Sequence, residues 1–292
     1  MTTNSDKTRP EPSFQHNQVT VDGVSIHVIS AGQATKPAVL FLHGFPQSWL
    51  AFRNVMTSLA DEFYTLAIDL PGIGESEKIP TNDTLTIAHY VKGVLAELGL
   101  TNVTLVGHDL GGMVTYAFLR AYPTDLARAV IMNVVVPGVD PWNLVKQNPH
   151  IWHFPFHSIP DLPEALVMGK QRIYFDYFFN TISAKPDKID EQARNAYAEA
   201  YASYDALHTG FEWYRAFGQD EKENIAAKGE LVQTPLLYLR GEHEYGTIED
   251  YLTGFRESGL VNVSGQIIPG SGHYAPEEAP DEVANRLRAF VQ

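Results

Sequence analysis

The chain contains no cysteine among its 292 residues. That excludes disulfides, a thiolate nucleophile, Cys-ligated zinc and iron–sulfur clusters. Positive charge is scarce: 21 Lys and Arg stand against 35 Asp and Glu, a formal net charge of −14. A polyphosphate selects the opposite sign, so neither nucleic acid nor an anionic membrane surface is an expected partner. No apolar run approaches the ~18 residues of a membrane span. The polar opening from Met1 to Gln18 has no apolar signal segment. A cytoplasmic protein is therefore expected, or a secreted or periplasmic one if the sequence has been trimmed. Internal repeats and low-complexity tracts are missing too. The eleven histidines show no HExxH or other ligand spacing, so no metal is expected.

What is present is a large apolar fraction, 44%. A chain of this length buries roughly three quarters of its unfolded surface and makes one large domain or two small ones. Short β-rich runs alternate with helical patterns. A hairpin is expected over Gln18–Ser30, turning at Asp22-Gly23. Strands are expected over Ala38–Leu42, Phe63–Ile68, Val103–Val106, Ala129–Val136, Pro235–Leu239 and Val263–Ile268. Between them, Trp49, Phe52, Met56 and Leu59, then Val91, Val94, Leu95 and Leu98, then Met113 to Leu119, and finally Val283, Leu287 and Phe290, carry helical stripes. Buried strands alternating with helices imply an α/β fold with a mostly parallel sheet covered by helices. Residues 137–228 break the alternation: they read as helices without a buried strand. Sixteen aromatics lie between Trp142 and Phe217. We read this as an inserted helical cap over an apolar pocket, although core packing alone also uses aromatics. The expected layout is a polar tail over 1–17, a core over 18–136 and 229–292, and a cap over 137–228.

The chemistry-bearing string is Gly107-His108-Asp109-Leu110-Gly111, after a buried strand and before a helix. Such a turn, G-x-(nucleophile)-x-G, lifts one side chain to the carboxyl end of the sheet. Serine is the usual central residue, and here it is Asp109, which would also suit a helix N-cap. His43-Gly44-Phe45-Pro46 follows the first buried strand. It aims the Phe45 N–H at the pocket, and with the Leu110 N–H forms an oxyanion hole. The Phe45-Pro46 bond is a candidate for a cis peptide. Asp69 to Ser76 forms the loop after the next strand, and Gly270-Ser271-Gly272-His273 follows the last one. His273 and Asp109 thus share one sheet edge. His43 and His108 read as structural.

These four segments, in this order, resemble the α/β-hydrolase superfamily over nearly all of the chain after residue 18. Aspartate in the serine position is similar to the epoxide hydrolase and haloalkane dehalogenase branch. A carboxylate is a competent nucleophile toward an sp³ carbon at neutral pH. The resemblance implies an alkyl ester of Asp109, hydrolysed by water with His273 as general base. The run Gly210 to Arg215 resembles the segment carrying one ring-opening tyrosine, which places Tyr214 in that role. Ile151 to Phe156, with Gly169 to Arg172, resembles the Cif-type epoxide hydrolases, where a histidine is the other donor. That is His153, a residue type that titrates near physiological pH. Fluoroacetate dehalogenases follow the nucleophile with arginine and the cap histidine with tryptophan. Here Leu110, Met113, Val114 and Phe154 depart from that pattern, and Leu110 also replaces the tryptophan usual in haloalkane dehalogenases. These departures favour a small apolar epoxide, with water as second substrate and no cofactor. Cif-type enzymes carry the triad acid where this chain has Asn133. The other placement of the acid falls on Glu244, in Arg240-Gly241-Glu242-His243-Glu244, with Asp140 the weaker candidate. The alternatives are a hydrolytic dehalogenase on the same aspartate and a non-catalytic ligand-binding protein on this fold. Oligomeric state stays open between monomer and homodimer, since relatives of this type often dimerise.

Overall fold

The computed structural model describes residues 12–292. An eight-stranded sheet runs β1 (Gln15–Val21), β2 (Val24–Ala31), β3 (Ala38–Leu42), β4 (Tyr64–Ile68), β5 (Val103–His108), β6 (Leu126–Met132), β7 (Leu236–Gly241) and β8 (Val263–Ile268). Its spatial order is β1-β2-β4-β3-β5-β6-β7-β8. The β1–β2 and β2–β4 pairs are antiparallel, and every other pair is parallel. The core helices are α1 (Arg53–Leu59), α2 (Thr84–Glu97) and α3 (Leu110–Ala121). The cap follows with α4 (Trp142–Val145), α5 (His153–His157), α6 (Leu162–Val167), α7 (Gln171–Ile182), α8 (Glu191–Ala200) and α9 (Tyr204–Ala226). The core resumes with α10 (Ile248–Glu257), α11 (Ala275–Glu278) and α12 (Pro280–Val291). Among the described residues no strand lies between Met132 and Leu236, and no helix is long and apolar enough to cross a membrane.

The apolar runs explain the layering. In β3, Leu40 and Leu42 pack toward α2 and α3, while Val39 and Phe41 pack toward α1 and α12. Both faces are covered, so the run has no polar alternation. Each such side chain contributes about 1.5–3 kcal/mol on burial. The chain leaves β3 toward β4 on one side and returns to β5 on the other. The loops after β3 and β5 therefore flank the crevice where strand order reverses, the usual ligand position in an open α/β sheet.

Two expected elements differ. β1 begins at Gln15, inside the stretch read as tail, because its backbone pairs with β2 as far as Gln15–Ser30 although its first four residues are exposed. β6 ends at Met132, not Val136. The chain turns at Asn133, whose φ is 53°, and Val134, Val135 and Val136 are apolar because they are buried, not because they are in the sheet.

Candidate active site

Asp109 stands between β5 and α3 with φ 52° and ψ −124°, a conformation that an L-residue adopts only when its surroundings impose it. The surroundings are close-packed glycines. A Cβ at Gly107 would lie 2.0 Å from the Gly111 carbonyl oxygen, and one at Gly111 would lie 2.1 Å from the Leu42 oxygen. The Asp109 side chain is directed into the crevice, where the Phe45 N–H donates to its Oδ1 at 2.8 Å. The Phe45-Pro46 peptide is cis. Burial would raise the Asp109 carboxyl. Hydrogen bonding to His273, the charges of His273 and His108 and the Leu110 N–H outweigh it and hold the group at about 2.

His273 lies between two carboxylates. Its Nε2 is 3.5 Å from Asp109 Oδ2, and its Nδ1 is 3.4 Å from Glu244 Oε1. Hydrogen bonds of this kind are often long before substrate binds. Burial would lower the imidazole, but the hydrogen bonds and charges of Asp109 and Glu244 raise it strongly. The ring is therefore cationic in the resting site at neutral pH. Glu244 is itself braced. Asn133 Nδ2 donates to its Oε2 at 2.8 Å, the Gly241 N–H at 3.2 Å, and Arg240 Nη1 lies 3.7 Å away. Burial works against its ionisation, yet His273, Arg240 and Asn133 lower its pKa. The amide that replaces an acid at position 133 thus supports the acid at position 244. Asp140 is exposed on the turn before α4 and takes no part.

His108 and His43 are structural, as their positions in the sequence suggest. His108 Nε2 donates to the His273 carbonyl at 2.7 Å, and burial lowers its pKa to about 4. His43 Nδ1 donates to the Gly44 carbonyl at 3.0 Å, and its Nε2 accepts the Leu70 N–H at 2.9 Å.

The cap covers the crevice. On α9, Leu207, Phe211 and Tyr214 recur at helical spacing and are buried, so this stripe faces the site. On α5, His153 and His157 lie one turn apart and both meet the Tyr214 ring, with centroids 5.8 and 4.3 Å away. Tyr214 also meets Phe45 edge-on at 5.6 Å, which brings the cap onto the oxyanion loop. Burial, then the Asp109 charge, pushes the Tyr214 hydroxyl well above its ordinary pKa. Burial lowers His153 to about 4. This corrects one expectation: His153 does not titrate near neutral pH, and offers a neutral ring N–H.

The structure therefore brings Asp109, His273, Glu244, Phe45, Leu110, His153 and Tyr214 to one crevice. Two participants escaped the sequence. His157 is fully buried and bonds the Tyr174 hydroxyl at 2.6 Å. Its spacing of four from His153 was the available signal. Glu278, which binds the backbone around His273, left no signal, because its partners are main-chain groups.

A mostly parallel sheet with an inserted cap and a strained nucleophile turn at its carboxyl edge defines a class, the cap-bearing α/β hydrolases. The chain belongs to the alpha/beta hydrolase fold family, whose profile matches residues 37–280. Over 288 residues it is 31% identical to the soluble epoxide hydrolase of a Corynebacterium species, covering 94% of this chain and 96% of that protein. The crystal structure of Cfl2 from Burkholderia cenocepacia aligns with a TM-score of 0.87 at 32% identity, over 96% of each chain. The Cif epoxide hydrolase from Acinetobacter nosocomialis shares the fold at a TM-score of 0.86 and 23% identity, over 96% of this chain and 89% of that one.

Proposed function

We propose that this chain is an epoxide hydrolase that opens a small apolar epoxide to a vicinal diol through an ester on Asp109. One observation carries the reading. The strained turn presents a carboxylate instead of a hydroxyl, bonded to the Phe45 N–H at 2.8 Å and 3.5 Å from an imidazole. Asp109 attacks a ring carbon, the carbon–oxygen bond breaks, and the alkoxide receives a proton from the Tyr214 hydroxyl while the His153 N–H hydrogen-bonds to it. Neither donor group has a hydrogen-bond partner among the described residues, so both are available to the epoxide oxygen.

Ester formation also switches the base. It removes the negative charge of Asp109, one of the two that hold the proton on His273. The imidazole pKa then falls, its proton passes through water to the Tyr214 phenolate left by ring opening, and His273 becomes a base at the step that needs one. It takes a proton from water as that water attacks the ester carbonyl. The Phe45 and Leu110 N–H groups receive the oxyanion. Glu244 stabilises the re-formed imidazolium, and collapse of the intermediate frees the diol and restores Asp109. Every group comes from one chain, so the chemistry does not depend on whether two chains pair.

Incubation with a panel of small apolar epoxides and haloalkanes tests this. Diol should form from epoxides and vanish in Asp109→Ala. Halide release without diol would make the protein a dehalogenase, and neither product would leave a binding protein.

A further inference from the structure

Glu278 ends α11, five residues after His273, and is 2% exposed. Four backbone N–H groups converge on its carboxylate. Oε1 accepts from Tyr274 at 2.9 Å. Oε2 accepts from Gly272 at 2.9 Å, Ala184 at 2.7 Å and Lys185 at 2.9 Å. Gly272 and Tyr274 flank His273. Ala184 and Lys185 belong to the cap, just past the end of α7. The His273 backbone is held in the same way: its N–H donates to the carbonyl of Ile182, the last residue of α7, at 3.0 Å. Its carbonyl accepts from His108 at 2.7 Å.

One oxygen thus serves donors from two bodies, the loop carrying the imidazole and the cap segment after α7. It can satisfy all of them only while that segment is seated on the loop. We propose that Glu278 is a positioning residue that ties the placement of His273 to the seating of the cap. This rests on the two-step reading above. Besides its bond to His273, the Asp109 carboxylate takes hydrogen bonds from Phe45 and Leu110, which lie outside this contact. Loosening the Glu278 clamp therefore disturbs the step that uses the imidazole as a base and spares the step that uses the carboxylate as a nucleophile. If the cap segment lifts, Glu278 loses two of its four donors and His273 loses its N–H acceptor, so the ring drifts from both Asp109 and Glu244.

The test separates the two steps in the full chain. Glu278→Gln is mixed with a reactive small epoxide, quenched at intervals, and the Asp109 ester is measured by intact mass. Ester formation should stay within about threefold of the parent, while ester hydrolysis should slow about 10- to 100-fold, as expected for a reacting group displaced by ~1 Å. Ester then accumulates in the variant. A second variant reaches the same contact without touching the charge. A Cβ at Gly272 would lie 2.6 Å from both the Ala184 nitrogen and the Ile182 oxygen, so Gly272→Ala wedges the segment from the loop and should give the same split. Equal slowing of both steps would reduce Glu278 to a structural group, and an unchanged hydrolysis rate would remove it from the account. If the parent itself forms no ester, the two-step reading fails instead, an outcome distinct from either.

Discussion

The core and cap sides of the crevice are built on different physics. On the core side nearly every polar group is held by another. Asp109 is held by the Phe45 N–H, His273 by Asp109 and Glu244, Glu244 by Asn133, and the His273 carbonyl by His108. On the cap side the rings of His153 and Tyr214 are held by aromatic contacts, edge-on or tilted. His153 meets Phe154 at 4.8 Å and Phe178 at 5.2 Å, and Tyr214 meets Phe217 at 5.1 Å. The core fixes charge where it must develop, the arrangement that catalysis by preorganised dipoles requires. The cap fixes ring planes by packing and leaves the Tyr214 hydroxyl and the His153 ring nitrogens without a hydrogen-bond partner among the described residues.

That contrast can be broken one side at a time. The largest effect is expected on the core side. Glu244→Gln should slow ester hydrolysis about 10³-fold or more, as loss of a triad acid does elsewhere, and leave ester formation nearly intact. A parent-like single-turnover hydrolysis rate would show that Glu244 is not the orienting acid. Next comes the reverse split on the cap side. Tyr214→Phe removes a proton donor and should slow ester formation by about 10²-fold without slowing hydrolysis of ester already formed. Equal loss in both steps would mean that the hydroxyl serves the fold. A smaller effect is expected from His153→Gln, which keeps an N–H donor: ring opening should slow about tenfold. Because His153 is lowered to about 4, the pH profile of ring opening between pH 5 and 8 should have the same shape in this variant and the parent. A step present in the parent and lost in the variant would show that His153 titrates there after all.

The smallest effect lies at the seam. Asp220 on α9 is buried and accepts the Thr84 N–H at 3.0 Å and its hydroxyl at 2.9 Å, at the start of α2. Burial, with Asp83 and Glu223 nearby, raises it to about 7. The folded chain then holds a proton that the unfolded chain loses near pH 4. Stability falls as pH rises from about 4 to about 7, and the loss is complete above that. Asp220→Asn should therefore stabilise the fold at pH 8 by on the order of 1–2 kcal/mol, with the gain shrinking toward pH 4. Denaturant midpoints at the two pH values decide it, and a pH-independent difference would contradict the assignment.

The same contrast governs what could be read from the sequence. Core loops announce themselves, because a strained turn demands glycines at 107 and 111 and a strand buried on both faces demands an unbroken apolar run at 38–42. The cap gives weaker signals. Its helices and aromatic density are visible, but which of 14 tyrosines meets the crevice depends on how α9 lies across the sheet. Only the resemblance of residues 210–215 singled out Tyr214. The Val134–Val136 run misled the strand assignment because apolar character reports burial and not hydrogen bonding. The role of Asn133 was half legible: its missing charge pointed to Glu244, but its amide bond to Glu244 required coordinates. The lowered pKa of the half-buried His153 follows from packing under the cap, which sequence does not encode locally.

The central claim is that a carboxylate oxygen of Asp109, and not water, makes the first bond to the substrate. One turnover in ¹⁸O-labelled water tests it most directly, with enzyme in excess over a small apolar epoxide. The ester route predicts an unlabelled first diol and label in the Asp109 carboxyl, read by peptide mass. Label in the first diol with none in Asp109 would mean direct attack by water, and would contradict the account.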